Sequence, residues 1–278
     1  MKQRELRLPG CQDAILQGQA WLPDSHLRSV VVVAHGLGEH GGRYAELATR
    51  LVARGHAVYA IDHRGHGRST GERANIDRFS YVVSDLSTFV GRAQREHPDL
   101  PVFLLGHSMG GAVAFASALR IHATLKGLVL SAPALAAGQA VSPFKASLLN
   151  VLSRFRPGAA ALTLPATAVS RDPAVVRAYE ADPLVHHGPI PARTIAELLE
   201  AMANFPAAAP ALKVPVLVQH GMADTLVPLA ATRPVYETMG NPRLRALRYY
   251  ERLYHEVYNE PERDTVIGDL ERWLDSHL

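Results

Sequence analysis

The 278-residue sequence holds a single cysteine, Cys11. One cysteine cannot close an internal disulfide, so no disulfide framework supports the fold. Charge of one sign is also scarce. Lys and Arg number 29 against 26 Asp and Glu, a formal net charge of +3. No run of Lys or Arg forms a basic patch, which removes the electrostatic footprint of a nucleic-acid partner. The first residues, Met1-Lys2-Gln3-Arg4-Glu5-Leu6-Arg7, alternate charge and lack the apolar core of a signal peptide. The uncharged stretch Val102 to Leu119 spans 18 residues, near the length of a membrane span. Gly106-His107-Ser108 interrupts it and Gly110-Gly111 follow, so it reads as a buried strand, a turn and a buried helix. Metal-ligand spacing is missing too. His255-Glu256-Val257-Tyr258-Asn259 lacks the second histidine of HExxH, no Cys–His pattern occurs, and no metal or other cofactor is expected. What is there is globular: 47% hydrophobic and 20% charged residues. Together these features predict a soluble, cytoplasmic protein of one or two domains.

Hydrophobic patterning gives the architecture. Glu5 to Leu8 and Gln12 to Leu22 read as an antiparallel hairpin. Val30-Val31-Val32-Val33-Ala34 is apolar on both faces, the mark of a central parallel strand. Tyr44, Leu47, Ala48, Leu51 and Val52 follow at helical spacing. Ala57 to Ile61 is the next buried strand, and Phe79 to Arg95 the next helix. Val102 to Leu105, Leu128 to Leu130 and Val214 to Val218 are further buried strands. This alternation predicts an α/β fold with a mostly parallel sheet covered by helices on both faces. The pattern breaks between Pro133 and Pro210, about 80 residues with no strong buried strand, too long for a plain connection. Phe144, Leu148, Val151, Leu152 and Phe155 share one helical stripe there. Two readings apply: a helical excursion packed on the core, or a lid over the strand ends.

The chemistry is carried by Gly106-His107-Ser108-Met109-Gly110. It matches G-x-S-x-G between a buried strand and a small-residue helix, the setting of a nucleophile elbow. Such a turn presents the Ser108 oxygen at a helix N-terminus, where free N–H groups and the helix dipole favour developing negative charge. A serine hydroxyl needs a base to accept its proton, and this fold supplies its partners in the order Ser, acid, His. Asp224 lies just past the end of the strand Val214 to Val218, and His255 follows the strand Leu247 to Tyr250. His35 and His107 flank strand ends and read as supports for the site.

A rival motif sits at the first central strand. Gly36-Leu37-Gly38-Glu39-His40-Gly41 fits the G-x-G-x-x-G dinucleotide fingerprint, and Asp62 ends the next strand. That reading, an oxidoreductase, leaves Ser108, Asp224 and His255 without a use. In α/β hydrolases the same loop supplies an oxyanion N–H, here from Leu37, while Met109 supplies the second.

The chain resembles the monoacylglycerol lipase family of α/β hydrolases, close to lysophospholipase-like serine hydrolases. The matching segments run from His35 to Tyr44, Asp62 to Ser69, Val102 to Gly111, Tyr179 to Leu184, Gly221 to Asp224 and Tyr254-His255. The resemblance implies an α/β-hydrolase core of residues 1–134 and 207–278 with an inserted helical lid, 135–206. It implies Ser108, Asp224 and His255 as the triad, Leu37 and Met109 as oxyanion donors, and an apolar acyl tunnel for a lipid ester. It puts Glu39, Arg43 and Tyr179 near the pocket for the alcohol, although Glu39 and Arg43 could equally pair and pin their loop. Tyr258 stands where the mammalian pattern has a second histidine, a departure at the border of the alcohol pocket. A carboxylesterase or lysophospholipase with the same triad is the alternative, and a catalytically silent binding protein on this fold a third reading. Lid opening would expose apolar surface, favouring peripheral contact with lipid interfaces or weak self-association.

Overall fold

The structure, a computed structural model, describes residues 1–24, 26–137 and 143–278, with the backbone alone for 143–147. Its main sheet contains β1 (Lys2–Pro9), β2 (Ile15–Leu22), β3 (Ser29–Ala34), β4 (His56–Asp62), β5 (Val102–His107) and β6 (Gly127–Ser131). Two short strands, β7 (Ala160–Leu162) and β8 (Ile190–Pro191), stand apart. β9 (Val216–Gly221) and β10 (Arg245–Tyr250) complete the main sheet. The eight strands lie in the order β1-β2-β4-β3-β5-β6-β9-β10. The first two junctions, β1 with β2 and β2 with β4, are antiparallel, and the others are parallel. The hairpin therefore forms as the sequence predicts, but its second strand starts at Ile15. Gln12 and Asp13 have positive φ and turn the chain.

The four-valine run shows why the sheet is buried on both faces. Val30 and Val32 enter one hydrophobic cluster, Val31 and Val33 the other, since successive side chains point to opposite faces. Helices α1 (Ala45–Ala53), α2 (Phe79–Glu96) and α3 (Met109–Ile121) follow β3, β4 and β5. Leu47 and Leu51 of α1 join one cluster; Val82, Leu86 and Phe89 of α2 and Phe115 of α3 join the other.

The stretch between β6 and β9 contains α4 (Pro143–Phe155), the β7/β8 pair, α5 (Pro173–Ala181) and α6 (Ala192–Ala208). β7 and β8 pair antiparallel over three and two residues, too short for periodicity to reveal. The expected end of the lid at 206 falls inside α6, which runs on to Ala208. The reason is packing: Phe205 stacks edge-on against Phe79 and Phe115 of the core. Glu197 of α6 also accepts the Phe79 N–H, a free donor at the start of α2. Helix α6 thus belongs to the excursion and to the core at once. The predicted stripe on α4 divides. Leu148, Val151 and Phe155 are exposed, Leu152 is half-buried, and the Phe144 side chain lies outside the described residues. Helices α7 (Leu229–Tyr236) and α8 (Arg263–Asp275) close the fold, α8 lending Val266, Ile267 and Leu270 to the α1 side.

Candidate active site

Strand β5 runs into α3 through one residue, Ser108, held at φ 54° and ψ −120°. That conformation is costly for a residue with a Cβ and persists only where the surroundings impose it. The imposition is visible. A Cβ on Gly106 would sit 2.4 Å from the Gly110 carbonyl oxygen, and one on Gly110 2.2 Å from the Ala34 oxygen. Only glycines let β5, α3 and β3 approach this closely. Ser108 is the N-cap of α3, so Met109 is its first helical residue and its N–H belongs to the unpaired set at a helix start.

The other candidates come from neighbouring loops. Asp224 follows β9 and His255 follows β10, both buried. The His255 Nδ1–H donates to Asp224 Oδ2 at 2.7 Å. Because a carboxylate only accepts, this bond leaves Nε2 as the unprotonated ring nitrogen of neutral His255. Asp224 Oδ1 accepts from the Leu226 and Val227 N–H groups, each at 2.9 Å. Burial pushes the Asp224 pKa up, but His255 and His220 outweigh it and hold the carboxyl well below its usual range. Burial likewise lowers His255, and Asp224 more than reverses it, leaving the imidazole above its ordinary 6.5.

A cavity of about 210 Å³ brings Leu37, Glu39, Ser108, Met109, Tyr179 and His255 together. Leu37 follows Gly36 in the loop after β3, and its N–H donates to no group among the described residues. Asp224 lies behind His255, away from the cavity. Arg43 does not line it either; its guanidinium sits behind the wall, shared by two carboxylates. Its Nη1 donates to Glu39 Oε2 at 2.7 Å, while Nη1 and Nη2 grip Glu256 at 2.6 and 2.8 Å. The Arg43 head lies 4.8 Å from the Tyr179 ring centre, a cation–π contact. Glu39 Oε1 accepts from the Gly36 N–H at 2.6 Å and the Tyr44 hydroxyl at 2.9 Å. So the pairing foreseen for Glu39 and Arg43 exists, and it pins the loop carrying Leu37.

The same contacts count against the dinucleotide motif. The Gly36 N–H, which a phosphate would need, already serves the Glu39 carboxylate. Asp62 accepts from the Gly41 and Arg68 N–H groups at 2.8 and 2.9 Å, so its oxygens are occupied as well. His35 and His107 do support the site. His35 Nε2 accepts the His63 N–H at 2.9 Å, and its Nδ1–H holds the Gly36 carbonyl at 2.7 Å. The His107 ring lies 4.7 Å from that of His255, and burial lowers its pKa to about 4, keeping it neutral.

Sequence reasoning missed Glu256 and His220. Glu256 follows the histidine directly, yet its partner Arg43 is 213 residues away. His220, wholly buried, donates Nε2–H to the Val227 carbonyl at 2.8 Å with Asp224 Oδ2 at 3.2 Å. The Tyr236 hydroxyl bonds its Nδ1 at 2.9 Å. Asp224 Oδ2 therefore faces two imidazoles. The signal available was position alone, at the end of a buried strand four residues before Asp224.

Comparison with known proteins gives the family. The family model described as serine aminopeptidase, S33, matches residues 25–262. A monoacylglycerol lipase of Mycolicibacterium smegmatis is 46% identical over 258 residues, covering 93% of this chain and 92% of that one. Human monoglyceride lipase is 35% identical over 257 residues, 91% of this chain and 84% of that protein. The crystal structure of Paleococcus ferrophilus monoacylglycerol lipase superposes with a TM-score of 0.81 at 30% identity, covering all of both chains. By fold, by sequence and by its strained serine turn, the chain belongs to the monoacylglycerol lipase family of α/β-hydrolase-fold serine hydrolases.

Proposed function

We propose that this protein hydrolyses monoacylglycerols to fatty acid and glycerol, with Ser108, His255 and Asp224 as its triad. The observation that carries the reading is the one cavity in which Ser108 and His255 meet a long apolar wall of Ile195, Leu198, Leu199, Met202, Leu226 and Val227. That wall favours an acyl chain over the peptide in the family model's name. Ser108 Oγ attacks the ester carbonyl while His255 Nε2 takes its proton. Asp224 holds the imidazole by Nδ1–H and stabilises the imidazolium. The Leu37 and Met109 N–H groups receive the oxyanion; one such donor is worth on the order of 10²–10³ in rate. The tetrahedral intermediate collapses, His255 gives its proton to the departing glycerol oxygen, and the acyl group stays on Ser108. Water then attacks the acyl-enzyme, giving its proton to His255, and the second collapse releases the fatty acid and restores Ser108.

Residues 135–206 act as the lid in this reading, and the rest of the chain as the catalytic core. Exposed Leu148, Val151 and Phe155 support its contact with a lipid surface. No helix among the described residues is long and apolar enough to cross a membrane, so such contact is peripheral. The test is kcat/KM on monoacylglycerols, diacylglycerols, lysophospholipids and p-nitrophenyl esters of graded chain length. Monoacylglycerols should lead the panel; lysophospholipids leading would transfer the assignment to a lysophospholipase.

A further inference from the structure

The cavity has two unlike ends. Leu198, Leu199 and Met202 of α6 form the apolar one, which the ester-hydrolase reading assigns to the acyl chain. Glu39, Glu256 and Tyr179 also line the cavity, and Arg43 joins all three from behind, so they make up one polar end. With the acyl chain against the apolar wall and the carbonyl at Ser108, the alcohol half of an ester meets this polar end.

Charge here does not balance. Two carboxylates, Glu39 and Glu256, share a single guanidinium, a formal net charge of −1. Among the described residues no Lys or Arg lines the cavity. Burial pushes the Glu256 pKa up, but Arg43 outweighs it and holds the carboxyl well below its usual range, so it is ionised at neutral pH. Nor is Arg43 free to turn toward an incoming anion. Its Nη1 and Nη2 are committed to the two carboxylates and its head rests on Tyr179. Releasing it would strand two buried carboxylates without a partner, which is strongly unfavourable.

We propose that the alcohol end of this cavity selects by charge. Esters of cationic amino alcohols are cleaved faster than their neutral isosteres, and phosphate-bearing alcohols are rejected. The inference rests on the ester-hydrolase reading above. It makes Glu39 and Glu256 specificity residues: they act on a charged leaving group through the field rather than by direct bonding. Their oxygens are engaged with Arg43, Gly36, Tyr44 and Asn259. Repulsion of the wrong charge is as effective a source of specificity as attraction of the right one.

The experiment compares butyrylcholine with 3,3-dimethylbutyl butyrate, which has the same acyl group and nearly the same shape but no charge. Monobutyrin and 1-butyrylglycerol 3-phosphate form the second pair. Each kcat/KM is divided by the ester's rate of hydrolysis by hydroxide, because the ammonium group also makes choline a better leaving group. The normalised choline ratio should be on the order of 10, and the phosphate ratio on the order of 0.1 or below, the size of one net charge at several ångströms in a partly wet site. Both ratios should move toward one in Glu256→Gln. Glu39→Gln serves the same purpose if the first variant does not fold. A choline ratio at or below one in the wild-type enzyme overturns the proposal, as do ratios that neither variant changes. If monobutyrin is cleaved while the ratios are flat, the charge selection falls and the ester-hydrolase reading stands. If none of the four esters is cleaved, both fall.

Discussion

Replacing Arg43 by Met removes the cation from a buried cluster of three charges and leaves Glu39 and Glu256 facing each other. Breaking a buried ion pair from one side costs about 3–5 kcal/mol, because the remaining charge is uncompensated. The Glu256 carboxyl points the same way, because Arg43 holds it ionised against its burial. It is moved from its ordinary 4.5 to about 2. For a chain of this size 1 kcal/mol corresponds to roughly 2–4 °C. Arg43→Met should therefore lower the melting temperature at pH 7 by about 6–20 °C, measured by calorimetry. The pH dependence has a definite sign. A carboxyl whose folded pKa is depressed stabilises the fold above about 4.5, and that stabilisation is lost as pH falls toward 2. The variant has already lost it, so wild type and variant should converge as the pH is lowered through this window. Adding Glu256→Gln to Arg43→Met should recover part of the loss by removing an unpaired charge. An Arg43→Met protein that melts within 2 °C of wild type at pH 7 would refute the reasoning, as would a double variant less stable than the single one.

Three further outcomes follow from the proposed mechanism. The acid limb of kcat/KM should have its midpoint above 6.5, since only neutral His255 accepts the Ser108 proton and Asp224 raises its pKa; a midpoint below that value contradicts the His255–Asp224 coupling. His220→Leu should lower kcat on the order of tenfold with little change in KM, by loosening the carboxylate that orients the base. It should also lower the acid-limb midpoint if Asp224 becomes less able to hold the imidazolium, and His220→Gln, which keeps a donor, should lie closer to wild type. Changing the exposed Leu148, Val151 and Phe155 together to Ser should reduce rates on emulsified esters far more than on soluble short-chain ones; equal losses on both would mean that α4 has no role at interfaces.

The legible parts of this protein were those written in local runs. Val30 to Val33 announced a doubly buried strand because each side chain has apolar company on its own face. The elbow was legible because a turn this tight demands glycine at Gly106 and Gly110, and a motif inherits that steric demand. Asp224 and His255 could be placed because both follow recognisable strands. What local pattern could not carry was pairing across the chain. Glu256 reads as one more charged loop residue until Arg43 arrives from 213 positions away. His220 reads as the end of an apolar strand until the fold brings Asp224, Val227 and Tyr236 around its ring. The expected boundary at 206 falls inside a helix for a related reason. Helix α6 looks like part of the excursion, and only contact with Phe79 and Phe115 reveals that its last turns belong to the core.

The central claim is that Ser108 is the nucleophile of an acyl-transfer enzyme. Treating the purified protein with a fluorophosphonate and mapping the adduct by peptide mass spectrometry tests it most directly. The account predicts a single modified residue, Ser108, with labelling abolished and monoacylglycerol hydrolysis lowered by several orders of magnitude in Ser108→Ala. Labelling elsewhere with Ser108 untouched, or a pure Ser108→Ala protein that still turns over, would contradict it.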